Sequence, residues 1–109
     1  MHELSIAQSV VEAVTERLPD RQVSYVALQV GKLSGIEPDA LRFCYELVTV
    51  DTTLAGSVLE IDEPVGVARC EECQADFRLD TPILLCACGS ANVRVVSGDQ
   101  LVISSVKVA

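Results

Sequence analysis

Histidine occurs once in these 109 residues, methionine once, tryptophan not at all, and phenylalanine and tyrosine only twice each. So few aromatics leave no platform on which a single-stranded nucleic acid could stack. Positive charge is equally scarce: eight Lys and Arg stand against sixteen Asp and Glu. The net charge of -8 argues against a surface built to neutralise phosphates. No apolar run approaches the roughly 18 residues of a membrane helix, and the start, with Glu3 and no basic stretch, does not read as a signal peptide. A cytoplasmic location is therefore expected, with no membrane and no nucleic-acid partner. Half the residues are hydrophobic, which suits a globular chain of one domain whose modest core a bound metal would help.

Five cysteines, an odd number in a chain without secretory character, point to metal thiolates rather than a disulfide framework. Four of them, Cys70, Cys73, Cys86 and Cys88, are spaced C-x2-C-x12-C-x-C. Two close pairs on facing turns meet the requirement of a tetrahedral four-sulfur zinc site, and Gly89 fits the turn after the second pair. That pair is one residue shorter than the usual C-x2-C. A closed site of this kind supports folding rather than chemistry. As a redox dithiol the first pair is disfavoured, because Glu71 and Glu72 between its cysteines should raise the thiol pKa. Cys44 stands apart on the apolar face of a predicted helix and reads as a small packing residue.

Apolar residues at Leu4, Ala7, Val10, Val11, Val14 and Leu18 draw a stripe along one helix that Pro19 stops, with Ser5 and Gln8 at capping-box spacing and Glu3 near the positive helix end. Gln22 to Val30 alternates like a half-buried strand, and Gly31 to Gly35 reads as a turn. Pro38 opens a second helix with Leu41, Cys44, Tyr45 and Val48 inward and Arg42 and Glu46 outward. Val58 to Asp62, Val93 to Val96 and Leu101 to Val108 read as strands, the last two joined by Gly98-Asp99, with the final strand returning to the sheet begun before the cysteines. The expected fold is α+β: a small mixed, largely antiparallel sheet packed with two helices. A zinc-ribbon-like subdomain over residues 68–98 is inserted into an α/β domain of residues 1–67 plus 99–109.

Met1-His2-Glu3 is a chelating sequence. The Met1 amine and the His2 amide nitrogen close a five-membered ring on a metal, and the same amide with His2 Nδ1 closes a six-membered one, bites that suit Ni(II) or Cu(II). Amine and imidazole must shed protons to bind, so loading should strengthen from mildly acidic to neutral pH. By position alone, a single histidine at residue 2 also reads as an inert, frayed end.

The MHEL start with its amphipathic helix, the mid-chain LRFCYELV helix and the CEEC to CACGS segment together resemble the HypA/HybF family of hydrogenase nickel-incorporation proteins. The resemblance runs in order over essentially the whole chain, and it reverses the inert reading of His2. It implies a nickel metallochaperone, with Ni(II) as cargo at the amino terminus of the α/β domain and structural Zn(II) in the cysteine segment. Delivery would involve a nickel-insertion GTPase and the large subunit of a NiFe hydrogenase, with urease maturation served by some relatives. Residue by residue, it implies His2 as the leading nickel ligand, the Met1 amine and backbone nitrogens beside it, Glu3 as ligand or supporting partner, and Cys70, Cys73, Cys86 and Cys88 as zinc ligands. Cys86-Ala87-Cys88 departs from the C-P-x-C of many members, which leaves its local turn open. No nucleophile, base pair or phosphate loop is apparent, so no enzymatic activity is expected. The other reading is a zinc-ribbon adaptor for nucleic acid or protein, and a homodimer is left open.

Overall fold

A computed structural model describes residues 2–109. The first helix, α1 (Glu3–Arg17), buries Ala7, Val10 and Val14, with Ile6, Val11 and Leu18 half-buried against the same core. Leu4, expected in this stripe, is 48% exposed, so Ile6 and Ala7 begin the anchored part of the chain. The helix also starts earlier than the Ser5/Gln8 spacing suggests. His2 is its N-cap, the Ile6 N–H donates to the His2 carbonyl at 3.1 Å, and Ser5 lies inside the helix, its carbonyl accepting the Ser9 hydroxyl. A capping box requires Ser5 outside helical geometry, and the upstream turn removes that condition. Pro19 does stop the helix, whose last N–H, from Leu18, donates to Val14.

Strand β1 (Val23–Val30), helix α2 (Pro38–Val48) and strand β2 (Val58–Asp62) form a β-α-β unit. Its strands are parallel, with Val26 opposite Leu59 and Leu28 opposite Ile61. Parallel neighbours need a crossover, and α2 supplies it. Glu37 caps α2 by accepting the Asp39 N–H, and Pro38 occupies the first turn, where its missing N–H has no intrahelical partner to lose. Leu41 and Tyr45 are buried, Cys44 and Val48 half-buried, and Arg42 and Glu46 exposed, the faces read from sequence. Arg42 nevertheless reaches back to the Leu59 carbonyl at 2.5 Å, and the Tyr45 hydroxyl meets Ser57 at 2.6 Å. These two bonds fix α2 to the entrance of β2.

Strands β3 (Gly66–Cys70), β4 (Asp76–Leu79) and β5 (Val93–Ser97) make a second, antiparallel sheet in the order β4-β3-β5. The last strand, β6 (Leu101–Val108), crosses back to pair antiparallel with β1, completing a mixed sheet in the order β2-β1-β6. Gly98-Asp99 is thus no hairpin turn: the strands on either side of it belong to different sheets. Two register shifts between β1 and β6 break strict alternation. One at Ser24 lets Val23 and Val26 both face the core, and one at Ser104 does the same for Ile103 and Val106, because an extra residue on one strand reverses the facing of the side chains beyond it.

The radius of gyration is 17.0 Å, against about 13 Å for a compact chain of this length, and the longest dimension is 53 Å. The two sheets lie end to end, joined where three glycines cross. The Leu33 N–H donates to the Gly98 carbonyl at 2.7 Å, Gly31 to Gln100 at 2.8 Å and Lys32 to Pro64 at 3.0 Å. Gly98 has φ +99°, and a Cβ there would stand 2.4 Å from the Gly66 Cα. Gly98→Ala therefore combines backbone strain with a clash against main chain, and a loss of about 3 kcal/mol is expected in urea unfolding. Gly35→Ala, at φ +78° with nothing within 4 Å of the added carbon, should lose only about 1 kcal/mol. Equal effects at the two positions would remove the close crossing as the explanation.

Candidate metal centre

Cys70 ends β3 and Cys73 follows on the tight turn into β4, where the Gln74 N–H donates to the Cys70 carbonyl at 2.9 Å. Cys86 and Cys88 sit on a facing turn closed by the Gly89 N–H on the Cys86 carbonyl at 2.9 Å and the Cys86 N–H on the Ser90 carbonyl at 2.9 Å. All four Sγ atoms lie within 4.8 Å of one another, with Cys70 to Cys88 at 3.7 Å and Cys73 to Cys86 at 3.6 Å. Four sulfurs about 2.3 Å from a shared ion at tetrahedral corners stand about 3.8 Å apart. The quartet therefore fits a tetrahedral ion of zinc's size, and the shortened C-x-C pair reaches it as well as the C-x2-C pair does. Among the described residues this is the one group of three or more cysteine, histidine or acidic side chains placed to share an ion.

Backbone N–H groups aim at the sulfurs: Cys73 at Cys70 and Cys88 at Cys86, both at 3.5 Å. The Cys73 N–H, with that of Glu72, holds the Cys70 thiol down to about 6. Cys88 feels the Ser90 N–H most, which lowers its pKa, yet the crowded sulfurs of Cys86, Cys70 and Cys73 together push it up to about 12. At Cys73 the Ala75 N–H likewise lowers the pKa and is outweighed by Cys70 and Cys86, so the net shift is upward. One thiolate forms readily here and its neighbours resist. A divalent cation reverses that balance by neutralising the developing charge.

The lowered Cys70 pKa is opposite to what Glu71 and Glu72 were expected to cause. The Glu71 carboxylate is turned away onto Arg94 at 2.5 Å, and the N–H groups decide instead. Cys70 is also fully buried, so its thiolate is placed to ligate rather than to attack a substrate. Gln74 takes φ +63° in the first turn, where the second turn has Gly89 at φ +95°. Its side chain is held by Arg69 and by the Glu71 carbonyl, while Arg69 also pairs with Asp76 at 3.0 Å. Cys44 lies elsewhere, half-buried on α2 against the core.

Outside the cysteine quartet, His2 is exposed at the start of α1. Glu3 is not free. Its Oε2 accepts the Glu37 N–H at 3.1 Å, and this bond, more than its own N–H, holds its carboxyl below the usual range. Glu3 thereby ties the start of α1 to the start of α2. Met1 lies outside the described residues. Glu37 went unnoticed in the sequence: its neighbour Pro38 marks a helix start, but no local pattern brings it to a residue 34 positions earlier.

The sequence pattern of the family described as "Hydrogenase/urease nickel incorporation, metallochaperone, hypA" matches residues 1–108. Hydrogenase maturation factor HypA from Nostoc sp. is 42% identical over 108 residues, covering 99% of this chain and 96% of that protein. Its counterpart from Geotalea uraniireducens is 44% identical over 109 residues and 99% of both chains. In fold, the chain is similar to the solution structure of the nickel metallochaperone HypA from Helicobacter pylori, with a TM-score of 0.69 at 19% identity over 99% of this chain and 97% of that one.

Proposed function

Because the chain belongs to the HypA family of hydrogenase and urease nickel-incorporation metallochaperones, we propose that it captures Ni(II) through His2 and releases it to a hydrogenase under assembly. As a member of that family it is a maturation factor and not an enzyme. The observation that carries the reading is the exposed sole histidine at the N-cap of α1, one residue before a glutamate tied to α2. His2 supplies Nδ1 and an amide nitrogen, Met1 its amine, and Glu3 either a ligand oxygen or the tether that orients the other donors. Few protein ligands and exchangeable positions suit an ion that must be handed on.

In the same reading the Cys70, Cys73, Cys86 and Cys88 quartet holds structural zinc, and residues 68–98 act as a folding unit inserted into a nickel-binding unit of residues 1–67 and 99–109. Zinc there would supply cross-linking, with no open coordination position. Delivery would involve a nickel-insertion GTPase and the hydrogenase large subunit in the cytoplasm, with urease maturation as a second destination. No described helix is long and apolar enough to cross a membrane.

Metal analysis and titration calorimetry test the assignment together. Protein beginning at an unmodified Met1 should carry one zinc and bind one nickel. Adding a single serine ahead of Met1 turns the amine into an amide and should weaken nickel binding about tenfold or more while leaving zinc in place. Unchanged nickel affinity would remove the amine from the ligand set.

A further inference from the structure

In the sheet β2-β1-β6 the last strand is an edge, and along its eight residues it has a hydrogen-bonding partner, β1, on one side only among the described residues. Such an edge is a template for another strand. Beside it runs a groove bounded by α1, lined by Ile6, Val10, Val14 and Leu18 from the helix and by Ile103 and Val106 from β6. Two openings share Ile103, one of about 160 Å³ toward Leu101 and Val102 and one of about 480 Å³ toward the end of α1. The larger falls in the range of about 300–1,000 Å³ typical of ligand pockets, so it admits side chains rather than solvent alone. Leu101 and Val102 stay 42% and 47% exposed at the smaller one.

Charge selects the occupant. In a chain of net charge -8 the groove is lined by no acid and by one cation, Arg17, which forms no ion pair among the described residues. A second copy of the chain would bring a further -8 against this one and would have to pair strands that each carry the Ser104 irregularity and Lys107. We propose that β6 and the flank of α1 form a docking edge for an extended partner segment that is apolar at alternate positions and carries a carboxylate to meet Arg17. The segment pairs with β6 as a fourth strand, its inward side chains fill the two openings, and its acid lies over the larger one. This surface is separate from the metal sites, and its failure leaves the nickel reading untouched.

The test uses isotope-labelled, zinc-loaded full chain titrated with acetyl-Ser-Val-Thr-Val-Ser-Val-Thr-Glu-amide and with the same peptide ending in Lys, read by amide chemical shifts. Shifts are expected in residues 101–108 and in α1 from Val10 to Leu18, with the Glu peptide binding about tenfold more tightly than the Lys peptide. Arg17→Glu, checked for intact folding by circular dichroism, should invert that preference. N-methylating alternate backbone nitrogens of the peptide should abolish binding in one of the two registers. Absence of binding by the Glu peptide at millimolar concentration overturns the proposal, as do shifts that map elsewhere or a charge preference that Arg17→Glu leaves unchanged. Concentration-dependent shifts of β6 without peptide, together with doubled mass in sedimentation, would assign the edge to a second copy and overturn it too.

Discussion

Stripping the metal from the four cysteines with a chelator is expected to unfold the β4-β3-β5 sheet and to leave the helices and the β2-β1-β6 sheet folded. The main core of eleven buried residues lies wholly in and between α1, β1, α2 and β2. Between Gly66 and Ser97 the buried hydrophobic residues are Ala68, Cys70, Leu79 and Cys86, and two of those are the cysteines themselves. Burying Leu79 contributes about 2 kcal/mol, while ordering each residue of the segment costs about 1–2 kcal/mol in backbone entropy. A structural zinc at this site would contribute roughly 10 to 16 kcal/mol at neutral pH and would then decide whether this sheet exists. Amide spectra of the metal-free protein should lose dispersion for residues 66–97 and retain it for α1, β1 and α2. Cys73→Ser should reproduce much of that pattern without chelator. A metal-free protein that keeps the second sheet would remove the structural role of the ion.

Acid should act in the same direction as the chelator. Without a metal, N–H groups hold the Cys70 thiol down to about 6, whereas the crowded sulfurs push Cys88 up to about 12 and raise Cys73. At neutral pH the ion must therefore displace protons from at least Cys73 and Cys88, so its affinity rises with pH and falls on acidification. Calorimetry in buffers of different ionisation enthalpy should read that proton release directly.

Nickel binding is expected to drop by about a hundredfold or more in His2→Ala, since the substitution removes the only imidazole in the chain and opens the six-membered chelate ring. Zinc content and circular dichroism should not move, because His2 is exposed and its side chain makes no capping bond to α1. Glu3→Ala should weaken nickel by about tenfold, the range typical of losing a group that orients a ligand, and it should also loosen α1 from α2 by freeing the Glu37 N–H. The carboxyl of Glu3 is depressed in the folded protein, so its tether contributes fully above the ordinary carboxylate range and is lost as pH falls through the depressed value. Loss of nickel at mildly acidic pH should therefore precede any release of Glu3 from Glu37. Equal nickel affinity for His2→Ala and the unaltered protein would end the proposed role of the amino terminus.

Local pattern was sufficient for much of this molecule. The spacing of Ala7, Val10 and Val14 determined α1, Pro38 determined where α2 starts, and the four cysteines announced a metal site, because helical period, proline geometry and thiolate pairing act within a few residues of chain. Three features depended on residues far apart in sequence. Strand β5 pairs with β3 and not with β6 because glycines 31, 66 and 98 let the main chain cross at a separation no side chain would permit. Cys70 ionises readily in spite of its acidic neighbours because folding turns Glu71 toward Arg94 and two N–H groups toward the sulfur. Glu3 meets Glu37 only once α1 and α2 have packed, so the nickel ligands proposed at the amino terminus come from the sequence pattern alone, while the tether that holds Glu3 was decided by the tertiary fold.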